Sequence, residues 1–188
     1  MKRVFIAINF PNSIREEIKN KQDELKGLFN EDVVKWVKKE NLHITVSFLG
    51  SLKEEDVDIL IHKIEKIKEK PLSLNIEDVS YIPEERRDAK MIWARVYGDD
   101  FFTFYEKIDS VLADFFNRKK INFSEVTPHI TLGRIKRWQW QKVPIVEIPI
   151  IEDFMGLEFR ATSFDVIESK ISRRGPDYNL IKKINLYE

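Results

Sequence analysis

The tripeptide His-Ile-Thr occurs twice in this chain, at 43–45 within "NLHITVSFLG" and at 129–131 within "TPHITLGR". Each copy lies in a run of strand formers. Successive side chains of a strand point to opposite faces, so His43, Thr45 and Ser47 share one face while Ile44, Val46 and Phe48 take the other. His129 and Thr131 oppose Ile130 and Leu132 in the same way. One face reads as core; the other carries groups that move protons and donate hydrogen bonds. The copies are 86 residues apart in a chain of 188, a period too long for a solenoid and suited to a duplicated lobe. Two lobes facing each other would bring the two words together. Duplication of a packing solution would repeat the word too, but burying two imidazoles and two hydroxyls without use costs desolvation that valine avoids.

The rest of the chain fits that plan. Val4 to Phe10 reads as a buried strand, followed by a helix opened by a Ser13-x-x-Glu16 capping box, with Ile14, Ile18 and Leu25 inward and Gly27 as its stop. "VVKWVKKE" at 33–40 is a short strand candidate, and Gly50 closes the first His-Ile-Thr strand. Residues 53–69 form an amphipathic helix ended by Pro71, with His62 on its solvated side. "LSLNIEDVSYI" and "KMIWARVYG" read as a hairpin across "PEERRDA". Residues 99–117 form the strongest helix, its Phe101, Phe104, Tyr105, Ile108, Val111, Leu112 and Phe115 stripe serving as core. Strand-like runs 147–159, 161–171 and 178–187 close the chain.

Composition removes several functions. Lys plus Arg and Asp plus Glu are both 32, which argues against coating long nucleic acid by bulk charge but leaves room for a local basic cleft. With no cysteine, thiolate nucleophiles, disulfides and thiolate zinc sites cannot exist. No run reaches membrane-spanning length and the apolar N-terminal stretch is too short for a signal segment, so the expectation is a soluble, cytoplasmic monomer with no membrane partner. Neither a His-Glu-x-x-His spacing nor a phosphate-cradling glycine motif is present; the expectation is no metal and no cofactor. A Ser-His-Asp triad would leave the repetition unexplained.

A facing pair of imidazoles suits acid–base catalysis, in which one ring deprotonates a nucleophile while the other protonates a leaving group, since histidine titrates near neutral pH. Thr45 and Thr131, two residues on along the same faces, can donate to non-bridging phosphate oxygens. The residues alone leave open which histidine is acid and which base.

These two words resemble the paired His-x-Thr motifs of the 2H phosphoesterase superfamily, in its RNA 2',3'-cyclic phosphodiesterase (2'-5' RNA ligase) branch. "RVFIAINFP" resembles that branch's first strand, and "SRRGPDYNLI" its C-terminal Gly-Pro-x-Tyr segment. The resemblance implies an α+β fold, one domain over 1–188 of two similar βαββ-type lobes whose antiparallel sheets face each other across a central cleft. It implies metal-independent opening of RNA 2',3'-cyclic phosphate ends to 2'-phosphomonoesters, with His43 as proton donor and His129 as proton acceptor. Run backwards, the same groups would join RNA ends by a 2'-5' linkage. Thr45 and Thr131 would bind the phosphate and Arg134 would help neutralise it, although strict alternation puts Arg134 on the apolar-face parity, where a structural salt bridge is the competing role. Phe48 stacks on a base in much of the family but here falls on core parity. Gly133 stands where the family often has alanine.

"KRWQWQK" interleaves Trp138 and Trp140 with Lys136, Arg137 and Lys142, an arrangement that can stack unpaired bases and contact phosphates, or simply pack a loop on its own aromatics. Lys35, Trp36, Arg173 and Arg174 are weaker candidates of the same kind. The expected partners are RNA ends, tRNA fragments among them; the alternatives are an esterase of small cyclic nucleotides and a noncatalytic RNA-end binding module.

Overall fold

The computed structural model describes residues 1–30, 32–122, 126–151, 153–172 and 175–187. Its strands are β1 (Lys2–Ile8), β2 (Val34–Trp36), β3 (Ile44–Leu52), β4 (Leu72–Ile82), β5 (Met91–Tyr97), β6 (His129–Ile135), β7 (Asp153–Ala161), β8 (Ser163–Ser172) and β9 (Gly175–Asn185). The helices are α1 (Asn12–Lys26), α2 (Glu54–Ile64), α3 (Asp99–Phe115) and the single turn α4 (Arg137–Trp140). The fold is α+β and antiparallel throughout the recorded pairings, in the order β7-β4-β5-β6-β3-β1-β8-β9, with β2 added to β6.

The two lobes are legible in that order. Reading outward from the centre, β6-β5-β4-β7 mirrors β3-β1-β8-β9, and the two His-Ile-Thr strands are the innermost pair. They meet at Ile44 opposite Ile130, where the lobes fuse into one sheet. The lobes are not the two halves of the sequence, because β8 and β9, last in the chain, return to flank β1.

One face of the sheet holds the core. Ile44, Val46, Ile130, Leu132, Ile92 and Ala94 are buried there with Ile18 and Leu25 of α1, Val57, Leu60 and Ile64 of α2, and Phe101, Phe104, Ile108 and Leu112 of α3. The Phe stripe of α3 is core, as its helical spacing predicts. On the opposite face, Phe5, Ala7 and Ile167 form a small separate apolar cluster with Tyr178 packed on it.

Three local expectations are corrected. Ser13 does not cap α1: the helix begins at Asn12 behind Pro11, whose carbonyl already accepts the Arg15 N–H at 3.0 Å, so Ser13 lies inside the first turn. Proline tolerates that place because its missing N–H would be unpaired in a first turn anyway. The second helix stops at Ile64, short of Pro71, where a lysine-rich stretch begins, although Ile67 beyond it still packs on the core. The run 147–159 is strand only from Asp153, since Ile145–Glu147 is a 3-10 turn flanked by Pro144 and Pro149. The 72–82/90–98 hairpin forms as predicted.

Candidate active site

Both histidines stand on the sheet face away from the helices, on the adjoining central strands. They are held alike. The His43 Nδ1–H donates to the carbonyl of Asn41 at 2.7 Å and the His129 Nδ1–H to that of Thr127 at 2.8 Å, each carbonyl two residues upstream. A carbonyl only accepts, so the neutral rings carry their proton on Nδ1 and leave Nε2 as the free base. The Thr45 hydroxyl donates to His43 Nε2 at 3.0 Å.

Aromatic neighbours fix the rings. His129 stacks on Trp93 of β5, with centroids 3.4 Å apart and planes 11° apart. His43 lies between Phe5 and Tyr178, at 5.1 and 5.4 Å. Burial pushes the His43 imidazole down to about 4 from its usual 6.5, opposed by the Asn41 bond and reinforced by the positive charges of His129, Arg134 and Arg15. Burial lowers His129 as well, and Arg134 adds to it. Burial raises the Tyr178 phenol, against the pull of Arg134 and Arg3. Arg134 is therefore near enough to act on both imidazoles and on Tyr178.

That placement of Arg134 overturns the parity expected from strict alternation, and the cause is a β-bulge. In the β5–β6 pairing Gly133 faces Ile92 but Thr131 faces Trp93, so Leu132 is an extra residue. In the β1–β3 pairing Ser47 faces Ile6 but Thr45 faces Ala7, so Val46 is extra at the equivalent place. Each extra residue flips everything after it. Arg134 and Phe48, each five residues past its histidine, turn outward, and Leu49 and Ile135 take the buried place instead. Phe48 is thus 74% exposed and lies 6.1 Å from Phe5 on the histidine face, a correction of the core reading. Arg134 has no carboxylate partner among the described residues; its Nη1 reaches Met91 Sδ at 3.7 Å.

Gly133 has a steric reason. A Cβ there would lie 2.6 Å from Val34 Cγ1 and 3.2 Å from the Trp36 ring, so the β2 side chains occupy the space an alanine needs. The bulge itself is held by Gln22 of α1, fully buried, whose Nε2 donates to the carbonyls of Leu132 and Val37, both at 2.8 Å.

The tryptophan-rich segment divides. Trp140 is 2% exposed, donates from Nε1 to the Arg86 carbonyl at 2.8 Å and packs on Tyr81 and Phe29, so it is core and no stacking platform. Trp138 is 71% exposed, with Lys142 Nζ over one face of its ring 4.9 Å from the centroid. Trp36 packs edge-on against Phe29 on the core side. Arg173 and Arg174 lie outside the described residues. His62 is exposed, as expected.

The sequence reading missed Trp93, Phe5, Tyr178, Arg15 and Gln22. Tyr178 had a signal in the "GPDY" segment; Gln22, a polar residue on the buried side of α1, also had one. Trp93 and Phe5 had none, since aromatics in strands ordinarily read as core. Among the described residues, no group of three or more His, Asp or Glu side chains is arranged to hold a metal ion.

The first part of the chain, residues 8–93, matches the model of the LigT-like phosphoesterases. An RNA 2',3'-cyclic phosphodiesterase of Methanocaldococcus jannaschii is 31% identical over 96% of this chain and 99% of its own. The chain belongs to the LigT-like phosphoesterase family. A protein of the same description from Archaeoglobus fulgidus is 30% identical over 99% of both chains. A crystal structure from Thermus thermophilus shares the fold with a TM-score of 0.79, 24% identity and coverage of 98% of this chain and 97% of its own. The E. coli LigT complex with 3'-AMP aligns with a TM-score of 0.74, 22% identity and coverage of 100% and 98%. This member is accordingly an enzyme of the hydrolase class, which removes the noncatalytic binding module from consideration. No helix among the described residues is long and apolar enough to cross a membrane.

Proposed function

We propose that this LigT-like phosphoesterase opens 2',3'-cyclic phosphodiester ends of RNA to 2'-phosphomonoesters without a metal, acting as a single domain over 1–188. One observation carries the reading: two imidazoles on adjoining strands are held in the same tautomer by the same kind of bond, with a threonine hydroxyl two residues on from each. The curated relatives of that activity, matched over nearly the whole chain, support the substrate.

In the reaction, His129 Nε2 takes a proton from water as its oxygen attacks phosphorus, the P–O3' bond breaks, and a protonated His43 gives its Nε2 proton to the leaving 3' oxygen. The products are a 2'-phosphomonoester and a 3'-hydroxyl, with His129 protonated and His43 neutral; exchange with solvent restores the pair. Protonation of His43 also reverses its bond to Thr45. The Thr45 hydroxyl hydrogen, spent on Nε2 at rest, then becomes free for a non-bridging oxygen, opposite Thr131, while Arg134 offsets the charge that grows there. With a 5'-hydroxyl in place of water, the same groups form a 2'-5' linkage in reverse. The exposed rings of Phe48 and Trp138 are surfaces for unpaired bases.

The test is a short RNA ending in a 2',3'-cyclic phosphate, incubated with the protein and EDTA. A new terminal phosphate at the 2' position, resistant to a 3'-specific phosphatase, is expected; a 3'-phosphate, or no product from folded protein, would overturn the proposal.

A further inference from the structure

Along β6 the histidine face presents His129, then Thr131, then Arg134. The neighbour on one side of β6 changes along the way. Near His129 it is β3, at Ile44 opposite Ile130; near Arg134 it is β2, with Val34, Lys35 and Trp36 opposite Ile135, Arg134 and Gly133. Directly opposed residues on neighbouring strands share a face. Lys35 therefore stands beside Arg134 on the face that carries both imidazoles, while Val34 and Trp36 turn to the core.

Two like charges opposite each other on paired strands repel, and here no carboxylate relieves them: among the described residues neither Lys35 nor Arg134 has an acidic partner. Lys136, one residue beyond β6, is by contrast paired, at 3.0 Å to Asp32. The beginning of β9 closes over this place. A Cβ on Gly175 would come within 3.5 Å of Lys35 Nζ, and the Pro176 carbonyl accepts from Asn41 Nδ2 at 3.0 Å, the same Asn41 whose carbonyl orients His43. Arg134 and Lys35 thus form a cationic pair on the histidine face, beside the start of β9.

We propose that Lys35, beside Arg134, forms a subsite for the phosphodiester that precedes the terminal nucleoside, so that the enzyme distinguishes an oligonucleotide end from a lone cyclic nucleotide. A substrate ending in a cyclic phosphate has further phosphates on its 5' side only. The inference rests on the cyclic phosphodiesterase reading and adds the substrate's minimum length.

The test compares a dinucleotide, adenylyl-(3'→5')-adenosine 2',3'-cyclic phosphate, with adenosine 2',3'-cyclic phosphate. The expected result is a wild-type preference in kcat/KM for the dinucleotide that Lys35→Ala and Lys35→Gln each reduce about 5-fold through KM, the scale of one partly exposed charge pair, and that Lys35→Arg retains. For the dinucleotide, the slope of log kcat/KM against log salt should become shallower by about 0.7, the contribution of one phosphate contact in a single strand. An unchanged preference or an unchanged slope in both Lys35→Ala and Lys35→Gln would overturn the subsite and leave the reaction standing. Failure of the wild type to open either substrate would overturn the reaction and the subsite together.

Discussion

Gln22→Leu tests the link between the buried scaffold and the site. The Gln22 amide gives two hydrogen bonds at 2.8 Å, to the carbonyls of Leu132 and Val37. Leu132 O keeps a second donor, the Val37 N–H at 2.9 Å, but the Val37 carbonyl loses its Gln22 donor. A net hydrogen bond is worth about 1 kcal/mol and a buried carbonyl left unpaired costs about 1–3 kcal/mol. Against this, leucine removes the Gln22 Oε1, itself buried without a partner, and adds apolar area, each worth about 1 kcal/mol. The net loss is about 1 kcal/mol, or a fall in Tm of about 2–4 °C for a chain of this size. Gln22→Glu, although of the same shape, should be worse than leucine, because it aims a buried carboxylate at two carbonyl oxygens. The functional consequence follows from the bulge. With its Leu132 carbonyl less firmly held, Arg134 is displaced from the imidazoles, so kcat/KM falls in Gln22→Leu and falls no further when Arg134→Ala is added, a non-additivity that a double-mutant cycle in kcat/KM reads directly. Urea denaturation gives the stability side. A Gln22→Leu protein within about 0.5 kcal/mol of wild type, or effects that add to those of Arg134→Ala, would refute the reasoning.

Further outcomes concern the histidines. His43→Ala and His129→Ala should each lower kcat by about 10² to 10⁴ with the cooperative unfolding transition retained, and full activity in either would end the two-histidine mechanism. Because burial holds His43 at about 4 in the free enzyme and a bound anion raises it, kcat/KM should decline with rising pH earlier than kcat does; superimposable profiles would contradict this assignment of the acid. The same depression makes the folded state bind its proton later than the unfolded chain. His43 therefore contributes stability that is full above about 6.5 and lost as pH falls towards 4, a dependence that His43→Phe should remove from denaturation midpoints.

Much of this was written in local pattern. The hairpin of β4 and β5, the core stripe of α3 and the opposed faces of each His-Ile-Thr strand follow from period and turn chemistry, and the repeat foretells the mirrored order of strands. Phe48 and Arg134 were misread for one reason: alternation was carried past a bulge. In the first word Phe48 at five places masks the clue, but in the second the apolar residues fall one, three and six places after His129, at Ile130, Leu132 and Ile135. A regular strand would have placed the third at five. Trp140 and Trp138 occupy one short segment with the same composition around them, and only the cavity formed by Phe29, Tyr81 and the Arg86 carbonyl decides which is buried. Trp93 and Phe5 reach the imidazoles through pairings between distant strands, a property of tertiary register that no local window contains.

The return of β8 and β9 to flank β1 has a temporal meaning. Phe5 is made long before Tyr178, its edge-on partner beside His43. At about 5–20 residues per second, the interval between them is roughly 10–30 s. In the last part of that interval, once residue 131 is made, both His-Ile-Thr words exist, yet the wall that buries His43 does not. A nascent chain of an enzyme proposed to act on RNA thus carries both histidines for a time before the aromatic wall around His43, the proposed proton donor, is complete.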